Sequence, residues 1–270
     1  MITDKPFTWN IAFHSGMSAK SDLRAAVDEG VAVGVVATLL DVSKAILVLP
    51  RHLDAGGFVF IDSGAFTAFQ KSEPLDWNKV FAAYETVLLH TERPSGLSIV
   101  APDVVGDQAA TIELWARHAF RVRSWIDAGA RVIVPLQRGT LTAQELLQRA
   151  KQIFGCDKFC AGIPSNLQAM ELQDAASLRH DQFHILGRVV LTPELKVKVQ
   201  TLFENNPAAT FSADANWLRS RITRICSDSN LIRCDTACWP MQSSRTRAVR
   251  ALLRTESYCR SGCNPAEMVC

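Results

Sequence analysis

Eight short apolar segments, rich in β-branched and aromatic residues, recur along this chain at 10–14, 31–37, 58–61, 97–101, 132–136, 159–161, 183–186 and 209–212. Stretches with helical periodicity lie between most of them, at 18–28, 77–90, 108–128, 143–154, 167–179 and 193–204. A strand buried on both faces reads as a continuous apolar run, and parallel strands need a crossover between them. The alternation therefore predicts a parallel α/β architecture, and a count of eight favours a (β/α)8 barrel of the TIM type over an open sheet. Two helix starts carry their own signals. Thr142 with Glu145 three residues on reads as a capping box. Thr192-Pro193-Glu194 places proline in a first turn.

The rhythm stops after residue 216. We expect a barrel domain over 1–216 and a basic, Cys-rich segment over 217–270 that packs on or extends it. From Trp217 onward there are nine arginines, no lysine and four acidic residues, although the whole chain carries a net charge of only +2. Arginine forks suit phosphate, so this segment fits a polyanionic partner or, equally, a solvated basic helix around residues 245–250. Of eight cysteines, six lie past residue 217. Cys234 and Cys238, and Cys259 and Cys263, each have three residues between them. That spacing is compatible with a four-thiolate structural zinc site; free thiols are the alternative. No apolar run in the chain is long enough for a membrane helix, which needs roughly 18 residues. The N-terminus lacks the charged start and apolar core of a signal peptide, so the expected location is cytoplasmic.

Chemistry-bearing residues gather directly behind the strand segments. Asp62-Ser63-Gly64-Ala65-Phe66 follows 58–61, Asp103 follows 97–101, and Gln137-Arg138-Gly139 follows 132–136. Gly162-Ile163, then Leu186-Gly187, and finally Asp214 complete the series. In α/β folds the carboxyl ends of the strands are where sites are built, so the three carboxylates can converge despite their separation in sequence. Any one of them alone would read as a helix cap or loop stabiliser. His184 reads as a core residue within its strand.

In this order the motifs resemble the tRNA-guanine transglycosylase superfamily. The short length and the lack of that family's Cys-x-Cys-x-x-Cys zinc pattern bring it nearest the compact DNA-acting 7-deazaguanine enzymes. The resemblance implies a glycosyltransferase that exchanges guanine in DNA for a base such as preQ0 through a covalent intermediate. Asp214 would be its nucleophile and Asp62 its acid/base group. Asp103 and Gln137 would then read the base edge, Ser63, Gly64 and the Gly162-Ile163 and Leu186-Gly187 turns would line the pocket, and Phe66 with Leu186 would sandwich the ring. No cofactor is implied for catalysis, and the implied partner is nucleic acid, DNA before tRNA; a homodimer is compatible. The alternatives are the same exchange on tRNA and a metal-dependent barrel hydrolase that uses the three aspartates as ligands.

Overall fold

Successive parallel strands must be joined by right-handed crossovers, and eight such units close on themselves once the first strand meets the last. The computed structural model describes residues 11–14, 16–40, 48–187, 192–215 and Arg250. Its strands are β1 (Ile11–His14), β2 (Val33–Val36), β3 (Val59–Asp62), β4 (Leu97–Val100), β5 (Arg131–Pro135), β6 (Cys160–Pro164), β7 (Gln182–Leu186) and β8 (Thr210–Ala215). They form a closed barrel in sequence order. Closure is made by Ile11, Phe13 and His14 pairing in parallel with Ala213, Asp214 and Ala215. The expected (β/α)8 barrel is thus the observed one.

The shell is built from α1 (Lys20–Asp28), α2 (Val48–Asp54), α3 (Ala65–Lys71), α4 (Trp77–Leu89), α5 (Gln108–Asp127), α6 (Ala143–Phe154), α7 (Leu172–Ser177) and α8 (Pro193–Asn205). Both cap signals hold. Thr142 Oγ1 accepts from Glu145 N at 3.3 Å while Glu145 accepts in return from Thr142 N at 2.8 Å. The reciprocal pair satisfies two otherwise orphaned donors. Thr192 Oγ1 accepts from Leu195 N at 3.3 Å, with Pro193 in the first turn. Helix α2 was not expected: it is short, and Pro50 stands within it, where a helical pattern is hardest to read. Helix α7 is shorter than its periodicity suggested. Asn166 Oδ1 accepts from Gln168 N at 2.8 Å. Such a local turn competes with helix over the segment before α7.

Side chains alternate across each strand, and the alternation divides the core in two. Outward residues such as Val59, Ile61, Ile99, Val132, Val134, Phe183 and Ile185 merge with Trp115, Trp125, Phe81 and Tyr84 into one large buried layer between sheet and helices. Inward residues Phe60, Val100, Ile133 and Cys160 form a much smaller cluster, joined by Leu186. Two residues beyond an inward position, the next inward position stands at the mouth. Asp62 follows Phe60 in this way and Asp214 follows Ser212.

The segment 217–270, with the four proposed zinc cysteines, lies outside the described residues apart from Arg250. Its Nη1 donates to Asp28 Oδ2 on α1 at 2.9 Å. No described helix is long and apolar enough to cross a membrane.

Gly162 faces the barrel interior, where an added Cβ would lie 2.7 Å from Leu186 Cδ1 and 3.1 Å from the Pro135 backbone. Gly162→Ala is therefore expected to cost about 1–3 kcal/mol in urea unfolding, as overpacked cores do. An unchanged midpoint would show that the inner layer is looser than this geometry indicates.

Candidate active site at the barrel mouth

The first motif is a sharp exit from β3. Gly64 has φ +85°, and a Cβ there would lie 3.0 Å from Thr38 Oγ1 and 3.1 Å from Val36 Cγ1. Both conformation and space therefore call for glycine. Ser63 is buried, and its Oγ accepts from the amide of Ala65, the first residue of α3, at 3.2 Å. Asp62, the last residue of β3, keeps some contact with solvent but is crowded on every other side. Loss of hydration, and after it the negative charge of Asp214, push its carboxyl up to about 6. The main-chain amides of Gly64 and Ser63 oppose that rise only in part.

Asp103 lies just past β4 and is 7% exposed. Gln137 Nε2 donates to its Oδ2 at 2.8 Å, while Gln137 Oε1 accepts from Gly106 N at 2.9 Å. Both ends of the Gln137 amide are thereby fixed. The turn beneath is held by Gln108, whose Nε2 donates to the carbonyls of Gln137 and Leu141, each at 3.0 Å. A side chain on Gly139 would collide with Gln108, which accounts for the glycine in Gln137-Arg138-Gly139. Burial first, and then the charge of Asp62, raise Asp103 to about 7 in spite of the Gln137 hydrogen bond.

Asp214 enters from β8. His184, fully buried on β7, places Nε2 3.6 Å from Asp214 Oδ1 and Nδ1 2.9 Å from Ser212 Oγ. Its ring also lies 5.1 Å from that of Phe60. Burial pushes the imidazole below its usual value, so it is neutral near pH 7. Tyr84 contributes a buried hydroxyl that lies against the Val100 main chain without well-formed hydrogen-bond geometry. Burial and the charges of Asp62 and Asp103 raise it far above the ordinary phenol range.

Asp62, Asp103 and Asp214 are therefore linked electrostatically through Asp62, and Gln137 joins them through Asp103. The remaining expected residues divide. Gly162 stands in the middle of β6 facing the barrel interior, and Gly187 directly follows the end of β7. Gly187 has φ +91°, and a Cβ there would lie 3.1 Å from Ser165 Oγ. The Ile163 side chain points away from the mouth into the layer between sheet and helices, leaving only its main chain near the site. Leu186 packs with the inner cluster of Phe60 and Ile133, whereas Phe66 is 57% exposed on α3. The two thus occupy different surroundings, Leu186 against the inner layer and Phe66 on an exposed helix face. Arg138 is engaged at the rim, donating to Gln168 O at 2.8 Å and facing Glu171 at 3.5 Å. Among the described residues no group of three or more His, Cys, Asp or Glu is arranged to hold a metal ion, which corrects the three-aspartate ligand set. Cys234, Cys238, Cys259 and Cys263 lie outside the described residues. A cavity of about 280 Å³ opens at the other end of the barrel between Lys151, Arg179 and Asp181, remote from the carboxylates.

Sequence reasoning passed over the roles of His184, Ser212, Arg131 and Tyr84. For the first three a signal existed. On β7 and β8 the apolar outward residues Phe183, Ile185, Phe211 and Ala213 alternate with polar inward ones, and Arg131 begins β5 at an inward position. Polar residues on the inner face of a barrel mark a filled polar interior. Tyr84 carries no such signal, because its helix reads as plain apolar packing.

The fold and site define a (β/α)8 barrel with an acidic mouth. No family model matches the chain, and no curated protein matches it. Among solved structures it is similar to the D-allulose 3-epimerase from Methylomonas sp., at 11% identity and a TM-score of 0.48, over 93% of this chain and 98% of that one. These findings correct the transglycosylase resemblance. No family model and no curated relative supports it. Guanine exchange in DNA or tRNA through a covalent nucleotide intermediate falls with it.

The raised Asp103 carboxyl has a measurable consequence. The folded state holds this proton more tightly than the unfolded chain. Asp103 therefore stabilises the fold only at low pH, and that contribution is lost as pH rises from about 4 to about 7. Asp103→Asn keeps an acceptor for Gln137 but no charge. Its stability relative to wild type should rise across that window by on the order of a few kcal/mol. Urea unfolding at pH 4 and pH 8 reads the difference; a gap that does not change with pH would contradict the assignment.

Proposed function

We propose that this protein is an acid–base enzyme that moves a proton on a small, polar, hydrogen-bonding substrate held in the barrel mouth. The observation that supports it is the Asp62 carboxyl, pushed up to about 6 beside the charge of Asp214. A carboxyl poised near neutrality can both give and take a proton at physiological pH, and two carboxyls whose environments differ divide the donor and acceptor roles. Asp62 and Asp214 are the proposed catalytic residues. Asp103 and Gln137 form the binding corner: the carboxyl accepts from a substrate N–H or O–H, and Gln137, fixed by Gly106, holds its orientation. Three carboxyls at one mouth disfavour an anionic substrate, so a neutral molecule rich in hydroxyl or N–H groups fits best.

The reading is tested by incubating the full chain in D2O with a panel of neutral polyols, sugars and N-heterocycles, and following turnover or deuterium uptake by mass spectrometry. We expect conversion or labelling of at least one class. Asp62→Asn and Asp214→Asn should each slow it by at least about 100-fold. Neither turnover nor labelling across the panel, or a rate indifferent to Asp62→Asn, would overturn the proposal.

A further inference from the structure

A line of polar side chains runs up the inside of the barrel from its floor to the mouth. It begins at Arg131, on the first residue of β5, where Nε donates to Gln182 Oε1 at 3.2 Å and Nη2 approaches Cys160 Sγ at 3.2 Å. Arg131 Nη1 donates to Ser212 Oγ at 2.9 Å. Ser212 lies directly opposite His184 in the β7–β8 register, and its Oγ is 2.9 Å from His184 Nδ1. His184 Nε2 then faces Asp214 Oδ1 at 3.6 Å.

Donor and acceptor bookkeeping gives this line a direction. A guanidinium only donates, so Ser212 Oγ must accept from Arg131. The hydroxyl has one proton left to give. Its two acceptors are His184 Nδ1 at 2.9 Å and the Phe183 carbonyl at 3.4 Å, and the shorter, in-register contact is the imidazole. If Nδ1 accepts, a neutral imidazole carries its proton on Nε2, the nitrogen that faces the Asp214 carboxylate. In the opposite arrangement Ser212 would accept twice and a lone pair on Nε2 would confront a carboxylate. Which ring nitrogen bears the proton is set by the hydrogen bond that the other makes.

We infer that Arg131 and Ser212 are positioning residues that lock His184 in the Nε2–H form and so aim a single donor at Asp214. This deepens the acid–base reading, on which Asp214's catalytic importance rests, but the proton's location does not depend on that reading. The separation of 3.6 Å exceeds a hydrogen bond. It is within the looseness that catalytic contacts show before substrate is bound. The imidazole thus steers the Asp214 carboxylate from below, at the base of the mouth.

The test is long-range proton–nitrogen correlation NMR on the full chain labelled with ¹⁵N-histidine, with the His184 signals assigned by their loss in His184→Gln. At pH 7 we expect a neutral ring with Nε2 protonated, in at least about tenfold excess over the other tautomer. Ser212→Ala should collapse that excess, and Ser212→Thr, which keeps the hydroxyl, should preserve it. A wild-type ring protonated on Nδ1, or on both nitrogens, would overturn the relay, as would an excess unaffected by Ser212→Ala. Because no substrate enters this measurement, its failure would leave the acid–base proposal standing, and failure of the turnover assay would leave the tautomer assignment intact.

Discussion

Desolvation at a closed barrel's mouth is the constraint on which the rest of this structure depends. The barrel is covered by helices outside and filled by side chains inside, so a carboxylate at a strand end meets water only through the mouth. Taking such a group out of water raises its pKa unless cations or donors compensate. Here compensation is partial: two main-chain amides serve Asp62 and one side-chain amide serves Asp103, and both carboxyls end well above the ordinary range. Repulsion from a neighbouring acid adds to the rise at each. A chemically responsive site follows from where the strands end.

The surroundings keep this costly arrangement rigid. Gln108 ties the Gln137 turn to Leu141, and glycines at 64, 139 and 162 remove the side chains that would break close approaches. Lys198 on α8 is wholly buried, and its Nζ donates to the Pro164 carbonyl at 2.9 Å. It pins the end of β6 from behind while burial draws its pKa down to about 8. Buried charge of this kind does little for stability and is tolerated where it fixes geometry.

Much of the fold was legible because periodicity and capping are local. All eight strands and six of the helices stand where alternation and cap residues placed them, with boundaries moved by a few residues. Helix α2 escaped because Pro50 disguises it. The site was legible where an acid stood directly behind an apolar run, as at Asp62, Asp103 and Asp214. It was illegible where function depends on register. His184 meets Ser212 only because β7 and β8 pair in one particular alignment, and Arg131 reaches Ser212 across the width of the barrel. The family resemblance went astray for a related reason. Acid, amide and glycine at strand ends are what any polar barrel mouth requires, so their order along the chain does not by itself specify a reaction.

The account turns on whether Asp214 raises Asp62. Carboxyl ¹³C NMR on aspartate-labelled protein, titrated from pH 3 to 9 with Asp62 assigned by substitution, measures this directly. The account predicts a midpoint of about 6 for Asp62 in the wild type, falling in Asp214→Asn as the neighbouring negative charge is removed. A midpoint at the ordinary aspartate value, or one that does not move in Asp214→Asn, would contradict it.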